Sequence, residues 1–146
     1  MAATSTESPV SVEQASAGAG VPPVRVTGPF TAVVFGATGD LTARKLVPAL
    51  FRLSRGGYFV APFAVVGVGR RDKDDARFRA ELGDAVRTLA GVEGGADWDR
   101  FAGSVFYHRA DFTAADGYTA LARRLGEIES GRGKLGNRLY YMATDP

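Results

Sequence analysis

The sequence predicts an α/β fold in which a doubly wound, parallel β-sheet carries helices on both faces. Short apolar runs rich in β-branched or aromatic residues alternate with longer amphipathic segments, and glycine clusters separate them. Connections of this length between strands normally form right-handed parallel crossovers. We therefore expect a single domain whose four strands lie in the order 3-2-1-4.

Four runs have the composition of buried strands. Strands one to four are predicted at residues 31–35, 62–68, 105–107 and 139–143. Gly36 follows strand one at once and Gly69 follows strand two, which predicts a turn after each. Strand four would lie at an edge although it carries Tyr140, Tyr141 and Met142, whereas natural edges are usually short, charged or covered. We therefore expect the isolated chain to be aggregation-prone.

The segments between the strands have apolar residues at a helical period. Helices are predicted at residues 40–55, 72–89 and 114–128. Pro48 interrupts the first, so this helix either kinks there or restarts with Pro48 in its first turn. The glycine-rich stretch 91–95 ends the second helix, and Leu121 and Leu125 face inward from the third.

Composition bounds the rest of the chain. Residues 1–25 are mostly small and polar, with no basic opening and no continuous apolar run, so they are not a signal peptide. They are predicted to form a flexible tail ahead of a domain at 26–146, because they contain too little apolar surface to offset the entropy of ordering. No run approaches the roughly 20 apolar residues of a membrane helix. We expect a cytoplasmic protein that does not bind a membrane.

The charge and cysteine content exclude several classes of partner and site. Eighteen Lys and Arg residues against sixteen Asp and Glu give a net charge of +2, and the basic residues are scattered, which argues against nucleic acid as a partner. The chain has no cysteine, which excludes a disulfide scaffold and a thiolate metal site. We predict no metal site.

A glycine-rich turn joins strand one to the first helix, with the sequence Gly36-Ala37-Thr38-Gly39-Asp40-Leu41. Small residues there let the backbone approach a pyrophosphate, and free amides at a helix start favour its negative charge. The position is typical of a Rossmann-like dinucleotide fold, although the spacing is Gly-x-x-Gly without a third glycine. The alternative is a tight turn capped by Thr38 or Asp40.

Arg70 and Arg71 follow strand two, where a dinucleotide fold recognises the adenosine ribose. An acidic residue there favours NAD, because it repels a 2′-phosphate. A guanidinium group instead donates two parallel hydrogen bonds to a phosphate and stacks on adenine. The pair therefore predicts NADP as cofactor. The alternative is that both arginines belong to a solvated turn, and for Arg71 taken alone the sequence supports this alternative and phosphate binding equally.

Three segments resemble glucose-6-phosphate dehydrogenases. They are the glycine turn with its extension Thr42-Ala43-Arg44-Lys45-Leu46-Val47-Pro48-Ala49-Leu50, the second-strand segment Val65-Val66-Gly67-Val68-Gly69-Arg70-Arg71, and the fourth-strand segment Asn137-Arg138-Leu139-Tyr140-Tyr141-Met142-Ala143. The glycine turn of an ordinary Rossmann fold lacks the extension formed by residues 42–50.

The resemblance implies site residues. The turn residues Gly36, Thr38, Gly39, Asp40 and Leu41 would line the pyrophosphate, and Ala37 belongs to the same cofactor loop. Arg70 matches the family residue that binds the 2′-phosphate, and Arg71 would assist it. Lys45 matches a lysine near the substrate phosphate; its alternative is a surface lysine on a helix.

The resemblance also implies the oxidation of glucose 6-phosphate to 6-phosphogluconolactone with NADP, the first step of the oxidative pentose phosphate pathway. The family's catalytic base is a histidine in a segment that this sequence does not contain, and the single histidine, His108, lacks its context. We therefore nominate no catalytic residue and expect the chain alone to be inactive. Full-length members are expected to be homo-oligomers, unlike this fragment, whose fold would be incomplete relative to theirs.

Two other functions are open at this point. One is a short-chain reductase, which also begins with a Gly-Ala-Thr-Gly loop but requires a Tyr-x-x-x-Lys pair that does not occur here. The other is a non-catalytic NADP-binding module.

Overall fold

The computed structural model describes residues 12–14, 24–91, 95–111, 113, 115–133 and 137–143. The strands are β1 (Val12–Gln14), β2 (Val24–Val26), β3 (Phe30–Phe35), β4 (Phe63–Gly69), β5 (Val105–Arg109) and β6 (Asn137–Met142). The helices are α1 (Val47–Arg55), α2 (Asp75–Ala90), α3 (Gly95–Ala102) and α4 (Ala115–Gly131), and a π-helical turn, Thr42–Leu46, leads into α1. Within these ranges, every helix is too short or too polar to span a bilayer.

The main sheet has four parallel strands in the order β5-β4-β3-β6. These are the predicted strands three, two, one and four, so the predicted order and doubly wound α/β class are confirmed. Val34 of β3 lies opposite Gly67 of β4 on one side and Tyr141 of β6 on the other. The chain therefore reverses its direction of progress across the sheet at β3, which is where open parallel sheets bind ligands.

Alternation along the strands divides the core into two layers, because successive side chains point to opposite faces. One layer contains Val34 of β3 with Phe51 of α1 and Phe78 of α2. The other contains Val33 of β3 with Leu125 of α4. All of these side chains are at most 3% exposed, so helices cover both faces of the central strands.

Pro48 lies at the start of α1, as one of the two predicted alternatives requires. Helical backbone begins at Asp40, passes through the π-helical turn, and restarts as α1 with Pro48 in the first turn. Proline fits there because the amides of a first helical turn need no acceptor within the helix. The site helix is therefore two segments joined at Leu46–Val47.

Three elements were not predicted: helix α3 and strands β1 and β2. Helix α3 follows the glycine-rich stretch and packs Trp98 and Phe101 against Phe51, with ring centroids 5.3 and 5.5 Å apart. Strands β1 and β2, which lie in the predicted tail except for Val26, pair antiparallel, with Glu13 opposite Arg25. The remaining residues of the predicted tail 1–25 lie outside the described ones, so its flexibility stays a prediction.

The two edges of the sheet differ. On β5, the Tyr107 amide donates to the Asp75 carboxylate at 2.7 Å, and the Val105 carbonyl accepts from Arg79 Nε at 2.6 Å. Asp75 and Arg79 are one turn apart on α2, so this helix caps the outer edge of β5. No described strand pairs with the outer edge of β6, and its last four residues are all exposed, from 42% at Tyr141 to 65% at Met142. One edge is protected and the other is open.

Candidate functional site

The glycine turn is fixed by main-chain hydrogen bonds at the end of β3. The amides of Gly36 and Ala37 both donate to the Val68 carbonyl at 3.1 Å, and the Gly39 amide donates to the Gly36 carbonyl at 3.0 Å. Gly36 has φ of 81°, a left-handed conformation that glycine adopts without strain. The turn is therefore tied to strand β4 as well as to its own strand.

The start of the helix after the turn is suited to an anion. The first amides of a helix have no acceptor within it and point toward the space before its first turn. The hydroxyl of Thr42, which is 1% exposed, donates to the Gly36 carbonyl at 3.1 Å and so fastens the helix to the turn. Asp40 is exposed and forms an ion pair with Arg44, with 3.0 Å between Oδ2 and Nε.

An open crevice of about 990 Å³ lies at the carboxyl ends of the four parallel strands. We call it the Arg70 crevice. Its walls include Gly36, Thr38, Gly39, Asp40 and Leu41 of the turn together with Arg70. Residues after β5 and β6 complete it. Its volume is at the upper end of the usual range of ligand pockets, about 300–1,000 Å³.

A second space of about 580 Å³ lies between the glycine turn and α2, and we call it the Arg71 cleft. Arg71 lines it together with Arg77 and Lys73, whose amine pairs with Glu81. Arg70 and Arg71 therefore line different spaces. Thr38 and Gly39 line both, so this part of the turn is the wall that the two spaces share.

Ala37 lies in the core rather than in the crevice. Its side chain is 1% exposed and packs beside Gly67 of β4. A Cβ atom at Gly67 would lie 2.7 Å from the Ala37 Cβ, far inside an ordinary contact. Of the six turn residues, Ala37 therefore sets the depth at which the turn sits on the sheet.

Lys45 lies apart from the other predicted residues. It is exposed on the π-helical turn and lines neither the Arg70 crevice nor the Arg71 cleft. Its contact with a substrate phosphate stays a prediction.

Sequence reasoning missed the residues that line the crevice after β5. Asp111, Thr113 and Tyr118 all do so. Hydrogen bonds from the amide and hydroxyl of Thr113 lower the pKa of Asp111, and the charges of Arg70 and Arg109 lower it further. The sequence signal that could have identified these residues is their position after a predicted strand, because the carboxyl ends of all strands in a parallel sheet lie at the same edge.

His108 lies on β5 and lines neither space. Burial and the nearby charge of Arg124 lower the pKa of its imidazole, which keeps the ring neutral near pH 7. Among the described residues, no group of three or more His, Cys, Asp or Glu side chains could bind a metal ion. The candidate site consists of the glycine turn at a helix start, with Arg70 and Arg71 beside it.

Comparisons with known proteins agree with this geometry. Residues 33–146 match the family model "Glucose-6-phosphate dehydrogenase, NAD binding domain". The chain is 42% identical over 123 residues to glucose-6-phosphate 1-dehydrogenase of Chlamydia pneumoniae, covering 84% of this chain and 24% of that protein. It is 37% identical over 114 residues to the Bacillus subtilis enzyme, covering 78% of this chain and 22% of that protein.

Solved structures give the same relationship. A glucose-6-phosphate dehydrogenase in complex with glucose 6-phosphate superposes with a TM-score of 0.69 at 29% identity, over 80% of this chain and 24% of that one. The enzyme from Mycobacterium avium gives 0.68 at 28% identity. The chain thus spans about a quarter of the length of the relatives it matches. Because the family model and these relatives agree, the short-chain reductase alternative is set aside. The chain belongs to the glucose-6-phosphate dehydrogenase family, and its residues 33–146 correspond to the NAD-binding domain of that family.

Proposed function

We propose that this chain binds NADP for the oxidation of glucose 6-phosphate to 6-phosphogluconolactone. The observation that carries the proposal is that Arg70 lines one crevice with Gly36, Thr38 and Gly39, at the point where strand order reverses. In dinucleotide folds, the pyrophosphate lies at such a turn and the adenosine ribose lies at the end of the next strand. Bound NADP would supply the hydride acceptor.

The positive charges of the loop after β4 favour the binding of a 2′-phosphate. Arg70 and Arg71 are both exposed, and each is next to a wall formed by Thr38 and Gly39. A 2′-phosphate in the crevice would lie beside the Arg70 guanidinium group, and charge-assisted bidentate hydrogen bonds are about twice as strong as neutral ones. Asp72, the first acidic residue after β4, lines the Arg71 cleft but not the crevice. We therefore infer a preference for NADP over NAD.

The catalytic groups are not assigned to this chain. Hydride transfer from the anomeric carbon of the sugar to the cofactor needs a base that takes the proton of the hydroxyl group on that carbon. His108 lines neither the crevice nor the cleft. We propose that this domain binds and orients the cofactor, that Lys45 contributes to the substrate phosphate site, and that the base comes from elsewhere in the enzyme, which we place in the cytoplasm as a homo-oligomer.

Isothermal titration calorimetry of the chain with NADP and NAD at one ionic strength tests the cofactor assignment. We expect at least about tenfold tighter binding of NADP, the factor that corresponds to about 1.4 kcal/mol. Arg70→Gln should remove this preference and leave NAD binding largely unchanged. Arg52→Gln is the matched control, because Arg52 is exposed on α1 and lines neither space.

Equal affinity of the unmodified chain for NADP and NAD would contradict the proposed specificity. Tight binding of NADP by a stable, monodisperse chain would instead favour a self-sufficient binding module over an enzyme part, so sedimentation velocity should accompany the titration.

A further inference from the structure

The arginine-bearing loop between β4 and α2, residues 70–74, is anchored through its main chain by side chains of β5. Nε of Arg109 donates to the Arg70 carbonyl at 3.1 Å, and the Tyr107 hydroxyl donates to the Arg71 carbonyl at 2.8 Å. Tyr107 and Arg109 are two residues apart on one strand, so they lie on the same face of the sheet. Consecutive arginines are thus anchored by consecutive same-face residues of the neighbouring strand.

The Tyr107 hydroxyl is itself in a fixed position. The side chain is 4% exposed, and its ring packs against Phe78 with 4.8 Å between centroids. Its amide donates to the Asp75 carboxylate at 2.7 Å, which connects the strand to the start of α2. Burial raises the pKa of the phenol, so the hydroxyl keeps its proton and stays a donor at neutral pH.

Gly69 leaves the space through which this hydroxyl reaches the loop. A Cβ atom at Gly69 would lie 2.8 Å from the Tyr107 oxygen, closer than real Cβ contacts come. Glycine at this position is therefore compatible with the position of the hydroxyl, whereas a larger residue would displace it. The amine of Lys73 lies 5.9 Å from the centre of the Tyr107 ring and forms an ion pair with Glu81, so Lys73 also contacts this ring.

We propose that Tyr107 and Arg109 are positioning residues for cofactor specificity, which fix the main chain of Arg70 and Arg71 so that the Arg70 guanidinium group is presented to a 2′-phosphate in the crevice. The proposal rests on the proposed function, since it assumes that the loop binds that phosphate. A loop that is ordered before binding loses less entropy when it binds, which raises affinity without a new contact. Neither residue lines the crevice or the cleft, so both act through the loop.

The test compares 2′,5′-ADP with 5′-AMP, which differ by the one phosphate, in calorimetric titrations of the full chain. Tyr107→Phe removes only the hydroxyl. We expect the ratio of the two affinities to fall about fivefold, the effect of one neutral hydrogen bond, while the affinity for 5′-AMP changes less than twofold. Arg109→Gln should lower the ratio similarly, and Arg109→Lys, which keeps a cationic donor, should restore part of it. Tyr58→Phe is the control, because Tyr58 lines neither space.

A second measurement separates positioning from a general loss of stability. Amide hydrogen exchange of loop residues 71–74 should accelerate in Tyr107→Phe, while exchange in the central strand β3 stays at the level of the unmodified chain. An unchanged affinity ratio, or an equal loss of affinity for both ligands, would overturn the proposal. If the unmodified chain itself does not prefer 2′,5′-ADP, the proposed function fails and this inference falls with it.

Discussion

Replacing Gly67 with alanine would test whether close packing fixes the glycine turn on the sheet. A Cβ atom at Gly67 would lie 2.6 Å from Cζ of Phe78 and 2.7 Å from Cβ of Ala37, against 3.4–4 Å for an ordinary contact. Phe78 is 3% exposed and Ala37 is 1% exposed, so neither can move into solvent. Relief therefore requires the ring or the turn itself to shift.

The expected magnitude follows from these overlaps. Adding a methyl group to a packed core costs about 1–3 kcal/mol, and two rigid neighbours at once place Gly67→Ala at the upper end, about 3 kcal/mol. That is a large part of the roughly 5–15 kcal/mol that stabilises a typical domain. Because one of the displaced atoms belongs to the turn, NADP affinity should fall as well.

Urea unfolding followed by far-ultraviolet circular dichroism measures the change. The matched control is Gly126→Ala, because a Cβ atom at Gly126 in α4 meets nothing within 4 Å. We expect the control to be stabilised by about 0.5–1 kcal/mol through the higher helix propensity of alanine. Adding Phe78→Leu to Gly67→Ala should recover part of the loss, since it removes the overlapping ring atoms. A Gly67→Ala chain as stable as the unmodified one, with the same NADP affinity, would refute the packing argument.

Two further predictions concern strand β6. Glu129 of α4 accepts two 2.8 Å hydrogen bonds from Arg138, and these lower the pKa of its carboxyl group. The pair therefore stabilises the fold above the ordinary pKa of 4.5 and ceases to do so as the pH falls through the lowered pKa. Glu129→Gln should cost about 1 kcal/mol at pH 7 and less at pH 3 in urea unfolding, and an equal cost at both pH values would contradict this. Leu139→Lys, at a site that is 64% exposed, should reduce concentration-dependent self-association in sedimentation velocity; an unmodified chain that stays monomeric at all concentrations would show that the open edge is not adhesive.

Much of the fold could be predicted because burial and backbone preference are local properties of a sequence. The β-branched run of β3 is apolar on both faces since the strand is covered on both faces, and Pro48 marks the restart of the helix since proline is compatible with a first turn. Helix α3 escaped prediction because only eight residues form it, directly after a glycine-rich stretch. Its signal was the spacing of Trp98, Phe101 and Ala102 on one helical face.

Strand composition, turn residues and the charge at a strand end are properties of a few neighbouring positions, so the sheet, the glycine turn and the arginine pair are evident in the amino-acid sequence alone. Three other features depend on the three-dimensional arrangement: Arg70 and Arg71 line different spaces, α2 caps one edge of the sheet, and the Tyr107 hydroxyl reaches the Arg71 carbonyl. That last bond joins residues 36 positions apart. No local pattern encodes such a contact, since it exists only once a crossover has placed β5 beside β4.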